Sequence, residues 1–130
     1  MSKIEVESFI SNVLRELSIQ EGVPVPKWTW RVLLGIAMFN KRTKVIEIRE
    51  FTVLNAWRKD AERTKRYLRH VLAHEFYHYL VEIGKASVKP RLLIERDCDL
   101  YAMKYSGLSE SEISELKRRP LTPDFVEEWR

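Results

Sequence analysis

Apolar residues at Val6, Ile10, Val13, Leu14 and Leu17 recur every three or four positions, which places them on one face of an N-terminal helix running to about Ser18. Ser2 and Glu5 have the spacing of a capping box at its start. Gly22-Val23-Pro24-Val25-Pro26 ends it, because proline cannot continue the helical ladder. The pattern then changes. Trp28 to Leu34 is rich in aromatic and β-branched residues, and Gly35–Phe39 and Lys44–Arg49 flank the turn Asn40-Lys41-Arg42-Thr43 as a hairpin. These runs predict an antiparallel or mixed sheet of three strands or more. A long helix follows, starting between Asn55 and Glu62. Its apolar positions Leu68, Val71, Leu72, Phe76, Tyr79, Leu80 and Ile83 cover most of the circumference, so it should lie largely buried. Gly84 supplies its stop. Leu92 to Met103 reads as another helix, Ser109 and Glu112 as the capping box of a short one, and Thr122-Pro123 as a last helix start. With 130 residues, this order predicts one α+β domain spanning residues 1–130.

Within the long helix stands His74-Glu75-Phe76-Tyr77-His78. Residues four apart share a helix face, so the two imidazoles can grip one metal ion. Glu75 follows the first histidine, where it can take a proton from a water beside the ion without binding the ion itself. His70 lies one turn earlier, but two successive steps of four residues span too far for one ion, so it should border the cleft or solvent. A catalytic zinc takes three protein ligands and keeps one position open. The only histidines are 70, 74 and 78, so the third ligand must be a carboxylate or the single thiol, Cys98. This excludes proteases whose third ligand is a downstream histidine. On the second helix Glu95, Asp99 and Ala102 fall on one face, with Asp97 and Asp99 as rival carboxylates. Cys98 fits a packed position, with a thiolate on zinc as the minority reading.

His-Glu-x-x-His followed by Glu95-x-x-x-Asp99 resembles the gluzincin pattern of zinc metallopeptidases. The resemblance implies Zn2+ held by His74, His78 and Glu95, with Asp99 supporting His74. A metal-bound imidazole donates its other N–H to an acceptor that fixes its tautomer and orientation. Glu95 to Ala102 is also similar to the Glu-x-Glu-Ala-Asn-x-Phe-Ala pattern of ImmA/IrrE-type proteins, with Asp97 and Cys98 replacing the second glutamate and the alanine. In brevity and element order the chain resembles the minigluzincins, which implies a zincin-like core over most of residues 28 to 105. It further implies hydrolysis of a peptide or unfolded protein, with Glu75 as general base and then acid. The substrate would lie extended along an exposed strand edge, either Lys44–Arg49 or Gly35–Phe39. Tyr101 or Tyr77 is the expected oxyanion donor if its hydroxyl faces the cleft. The latent forms of that family imply that Leu121–Arg130 is an inhibitory segment in the cleft; the plain reading of the same residues is a helix packing Phe125 and Trp129. A regulatory protein of the same fold, acting on one partner with little proteolysis, is the alternative; an intact Glu75 counts against it.

Composition narrows the setting. The longest apolar run is far shorter than a membrane span, and Met1-Ser2-Lys3-Ile4-Glu5 has no apolar signal core, which predicts a cytoplasmic protein without membrane partners. One cysteine allows no internal disulfide. The net charge of +4 is spread over Lys41-Arg42, Arg63-Thr64-Lys65-Arg66 and Lys117-Arg118-Arg119, each with the plain reading of a solvated face, so nucleic acid is not an expected partner.

Overall fold

The computed structural model describes residues 3–32 and 35–117. The Ser2 end of the first capping box, Leu33-Leu34 of the first strand and the segment 121–130 lie outside these residues. The fold is α+β, and the described residues form five helices and a three-stranded sheet.

Helix α1 (Lys3–Glu21) buries Val6, Ile10, Val13, Leu14 and Leu17, as its periodicity predicts. Burial of such side chains stabilises the fold by about 1.5–3 kcal/mol each. The helix runs on past Ser18 to Glu21, and the buried Ser18 hydroxyl is satisfied by donating to the Leu14 carbonyl at 2.7 Å. Strands β1 (Lys27–Arg31), β2 (Ala37–Asn40) and β3 (Val45–Arg49) pair in the order β1-β3-β2. β2 and β3 form the expected antiparallel hairpin, whereas β1 runs parallel to β3. Lys44–Arg49 is therefore the middle of the sheet and cannot offer the free edge that was one of its two readings; β2 holds an edge. Two indoles tie β1 to α1, Trp28 Nε1 donating to Ser11 Oγ at 3.1 Å and Trp30 Nε1 to Glu7 Oε2 at 2.7 Å.

Helix α2 (Glu50–Lys59) starts directly after β3 and buries Thr52, Val53, Ala56 and Trp57. Asp60 leaves helical geometry at φ −157° and caps α3 (Ala61–Glu82), its side chain accepting from Arg63 N at 3.1 Å. Gly84, at φ +80°, takes the left-handed conformation that ends α3. Helix α4 (Arg91–Ser106) ends at Gly107, and α5 (Glu110–Leu116) starts with the Ser109/Glu112 capping box complete on both sides. α3 is the hub, packing against α1, α2, β2, α4 and α5. Phe76, Leu68 and Leu72 on α3 are fully enclosed. Among the described residues, no helix is long and apolar enough to cross a membrane.

Candidate metal centre

The pairing of α3 with α4 brings together side chains far apart in sequence. His74 and His78 project one turn apart from α3, their ring centroids separated by 5.3 Å. Glu95, from the second turn of α4, lies between them: Oε2 is 2.7 Å from His78 Nε2 and Oε1 is 3.3 Å from His74 Nε2. The other nitrogen of His74, Nδ1, is 2.8 Å from Asp99 Oδ1, one turn along α4. This contact fixes the ring so that Nε2 faces Glu95. Asp97 does not share the site, because its carboxylate pairs with Lys89 Nζ at 2.8 Å.

Nitrogen and carboxylate donors of His74, His78 and Glu95, together with Cys98 Sγ, all lie within 4.8 Å of one another. Zinc takes these donor types at about 2.0–2.3 Å, which sets ligand atoms roughly 3–4 Å apart, so the residues fit the ion with small adjustments. Cys98 is fully enclosed, and burial pushes its thiol pKa up, the behaviour of a packed side chain.

Glu75 points to the other side of the helix face from Glu95, toward the sheet. Its Oε1 accepts the Phe39 backbone N–H at 2.8 Å, and its Oε2 is 3.9 Å from His74 Nε2. Phe39 thus turns its N–H away from β3, and the free edge of β2 faces the metal site. Burial raises the Glu75 pKa to about 7 against the opposing pull of His74 and the Phe39 amide. Burial likewise lowers the pKa of His78, with Glu95 opposing.

A cleft of about 570 Å³ opens beside these groups, walled by the start of β2, by α3, by α4 and by α5. His70 borders it, buried, as the sequence allows. The structure does not bring either expected oxyanion donor there. The Tyr101 hydroxyl donates to Glu21 Oε2 at 2.9 Å, and Tyr77 packs its ring on Tyr101 at 5.3 Å. Neither lines the cleft. The tyrosine on the cleft wall is Tyr67, stacked on His70, with no hydrogen-bond partner for its hydroxyl among the described residues. Burial raises its pKa to about 12. Tyr67 stands seven residues before His74, a helix-face spacing that was open to detection in the sequence. That spacing also corresponds to a rise of about 10 Å, so Tyr67 belongs to the far end of the cleft and not to the reacting centre. Set against family models, curated proteins and solved structures, the chain matches none, and the reading of the site rests on its own geometry.

Proposed function

We propose that this chain is a zinc-dependent peptidase of gluzincin type, acting on extended peptides or unfolded protein. The observation that carries the proposal is the convergence of His74, His78 and Glu95 within bonding reach of one ion, with Asp99 on the outer nitrogen of His74 and Glu75 beside them. Bound there, zinc supplies a Lewis acid for the scissile carbonyl and acidifies a water. His74, His78 and Glu95 hold it, and Asp99 holds His74 in the tautomer that leaves Nε2 unprotonated. Glu75 takes the proton of the attacking water as its oxygen bonds to the carbonyl carbon, then delivers it to the amine as the C–N bond breaks. Its buried carboxyl group is suited to carry a proton between these steps. The substrate adds as a strand to the free edge of β2, where the backbone alternates outward groups at Ala37 and Phe39. The Phe39 N–H must leave Glu75 for this pairing.

One observation favours a second reading. The Cys98 sulfur lies close enough to complete a four-ligand site with His74, His78 and Glu95, and a closed site holds zinc for structure or regulation. Metal content and turnover of an unfolded protein separate the two. The peptidase reading expects one zinc per chain, cleavage by wild type, and retained zinc without cleavage in Glu75→Gln. One tightly held zinc, lost affinity in Cys98→Ala and no cleavage that Glu75→Gln abolishes would establish the closed site instead.

A further inference from the structure

The cleft beside the metal centre runs past the ligand histidines toward the N-terminal end of α3, where Tyr67 and His70 form its wall. By the rise of the helix, His70 lies about 6 Å and Tyr67 about 10 Å from His74. Their rings are stacked, with centroids 6.4 Å apart. Only 6% of Tyr67 and 8% of His70 is exposed. The Tyr67 ring packs into an apolar cluster with Val71, Leu108 and Leu116, a setting that a phenylalanine would fill equally well. Among the described residues neither the Tyr67 hydroxyl nor His70 Nδ1 has a hydrogen-bond partner. Enclosed polar groups without partners are costly and uncommon in a folded chain, and here two of them meet at one end of one cleft.

Between this end and the metal centre the walls include Ile36 beside β2, Val71 on α3, Met103 on α4 and Ile113 on α5, all apolar. Glu110 and Lys117, of opposite sign, stand exposed at the rim. Burial, with His74 adding to it, lowers the pKa of His70, and burial raises that of Tyr67 to about 12, so both end groups are neutral. An apolar side chain in the cleft would cover the walls and leave both polar groups unpaired. A charged one would lose its hydration against neutral partners. A short polar one would not reach the end. A phenol meets every condition: its ring is flat and apolar, and its hydroxyl both donates and accepts, so it serves either tautomer of His70 as well as the Tyr67 hydroxyl.

We propose that the cleft takes a tyrosine side chain of the peptide substrate, with its ring against Val71 and Met103 and its hydroxyl toward Tyr67 and His70, which makes these two residues its specificity determinants. The inference rests on the peptidase reading of the metal centre, so its test is binding without turnover. Full-length Glu75→Gln with one equivalent of zinc is titrated, by fluorescence anisotropy, with end-labelled alanine–glycine peptides that differ only in a central Tyr, Phe or Ala. The Tyr peptide should bind at least about tenfold more tightly than the Phe peptide, since a site built around a hydroxyl rejects the analogue that lacks it. Tyr67→Phe, added to the same chain, should cut that preference at least about threefold and leave affinity for the Phe peptide unchanged. A merely structural role for Tyr67 would instead weaken all three peptides alike. Equal binding of the Tyr and Phe peptides, binding of neither, or a tyrosine preference that survives Tyr67→Phe overturns the proposal. If wild type still cleaves unfolded protein in those cases, the peptidase reading stands without it. A tyrosine preference that Tyr67→Phe removes, in a chain whose wild type cleaves nothing, would keep the tyrosine site and remove the peptidase.

Discussion

A carboxylate enclosed beside two imidazoles disfavours its own charge, and at Glu75 this has a measurable consequence for the metal-free chain. Its pKa rises from 4.5 to about 7 on folding, so the folded chain binds the proton more tightly than the unfolded one. Between those values the unfolded state loses its proton first. Stability must therefore fall as pH rises through this window and level off above about 7, by at most about 3 kcal/mol. Denaturant unfolding of chelator-treated protein at pH 5 and pH 8 should show that loss, and Glu75→Gln should remove it. An equal loss in the variant would assign the effect to other groups. The ligand set makes its own prediction. Glu95→Ala should weaken zinc binding severely, and Asp99→Asn by roughly 10–100-fold, measured by competition with a chromophoric chelator. Full affinity in Glu95→Ala would shift the third ligand to Cys98 or Asp99. Tyr101→Phe should lower stability by about 1 kcal/mol through loss of its bond to Glu21, with zinc affinity unchanged.

At the scale of elements, the short link between α2 and α3 decides where the metal helix begins. Asp60 separates the two helices and caps the second. Asp60→Ala should lower stability by about 1 kcal/mol, a shift of roughly 3–5 °C in Tm for a domain of this size. A calorimetric scan showing no shift would mean that packing alone positions α3. The start of that helix was legible between Asn55 and Glu62, and it falls at Ala61. The helix before it was not read from the sequence. Its signal was present, since Val53, Ala56 and Trp57 follow helical spacing, but β3 runs into it with no turn residue between Arg49 and Glu50. A boundary without glycine, proline or a polar capping side chain leaves no local mark. The hairpin and the Ser109/Glu112 box were legible because their marks are local: the Asn40 side chain accepts from the Arg42 and Thr43 amides, and Ser109 exchanges bonds with Glu112.

For the molecule as a whole, the described chain ends at Lys117, on the rim of the metal cleft. Residues 118–130 follow Lys117 in the sequence. They include Asp124, Glu127 and Glu128, and a tethered carboxylate competes for an open metal position at high effective concentration. If the segment is inhibitory, a chain cut after Pro120 should keep its zinc and cleave unfolded protein several-fold faster. Unchanged turnover in a folded, zinc-bound truncation would make the segment a packing element.

By itself the sequence determined the features that depend on near neighbours: the helical faces, the hairpin, the glycine stop at Gly84, and the His74/Glu75/His78 grouping, since one helix turn fixes all three. Its second motif correctly put Glu95 and Asp99 one turn apart on one helix. Only the tertiary structure decided how that helix lies against α3. That packing brought Glu95 to both imidazoles, turned Asp97 to Lys89 and Asp99 to His74, and carried Tyr101 away to Glu21. It also decided that β3 lies between β1 and β2, so that β2 and not β3 holds an edge. Those outcomes depend on which surfaces bury together, a balance summed over the whole core that no local spacing contains.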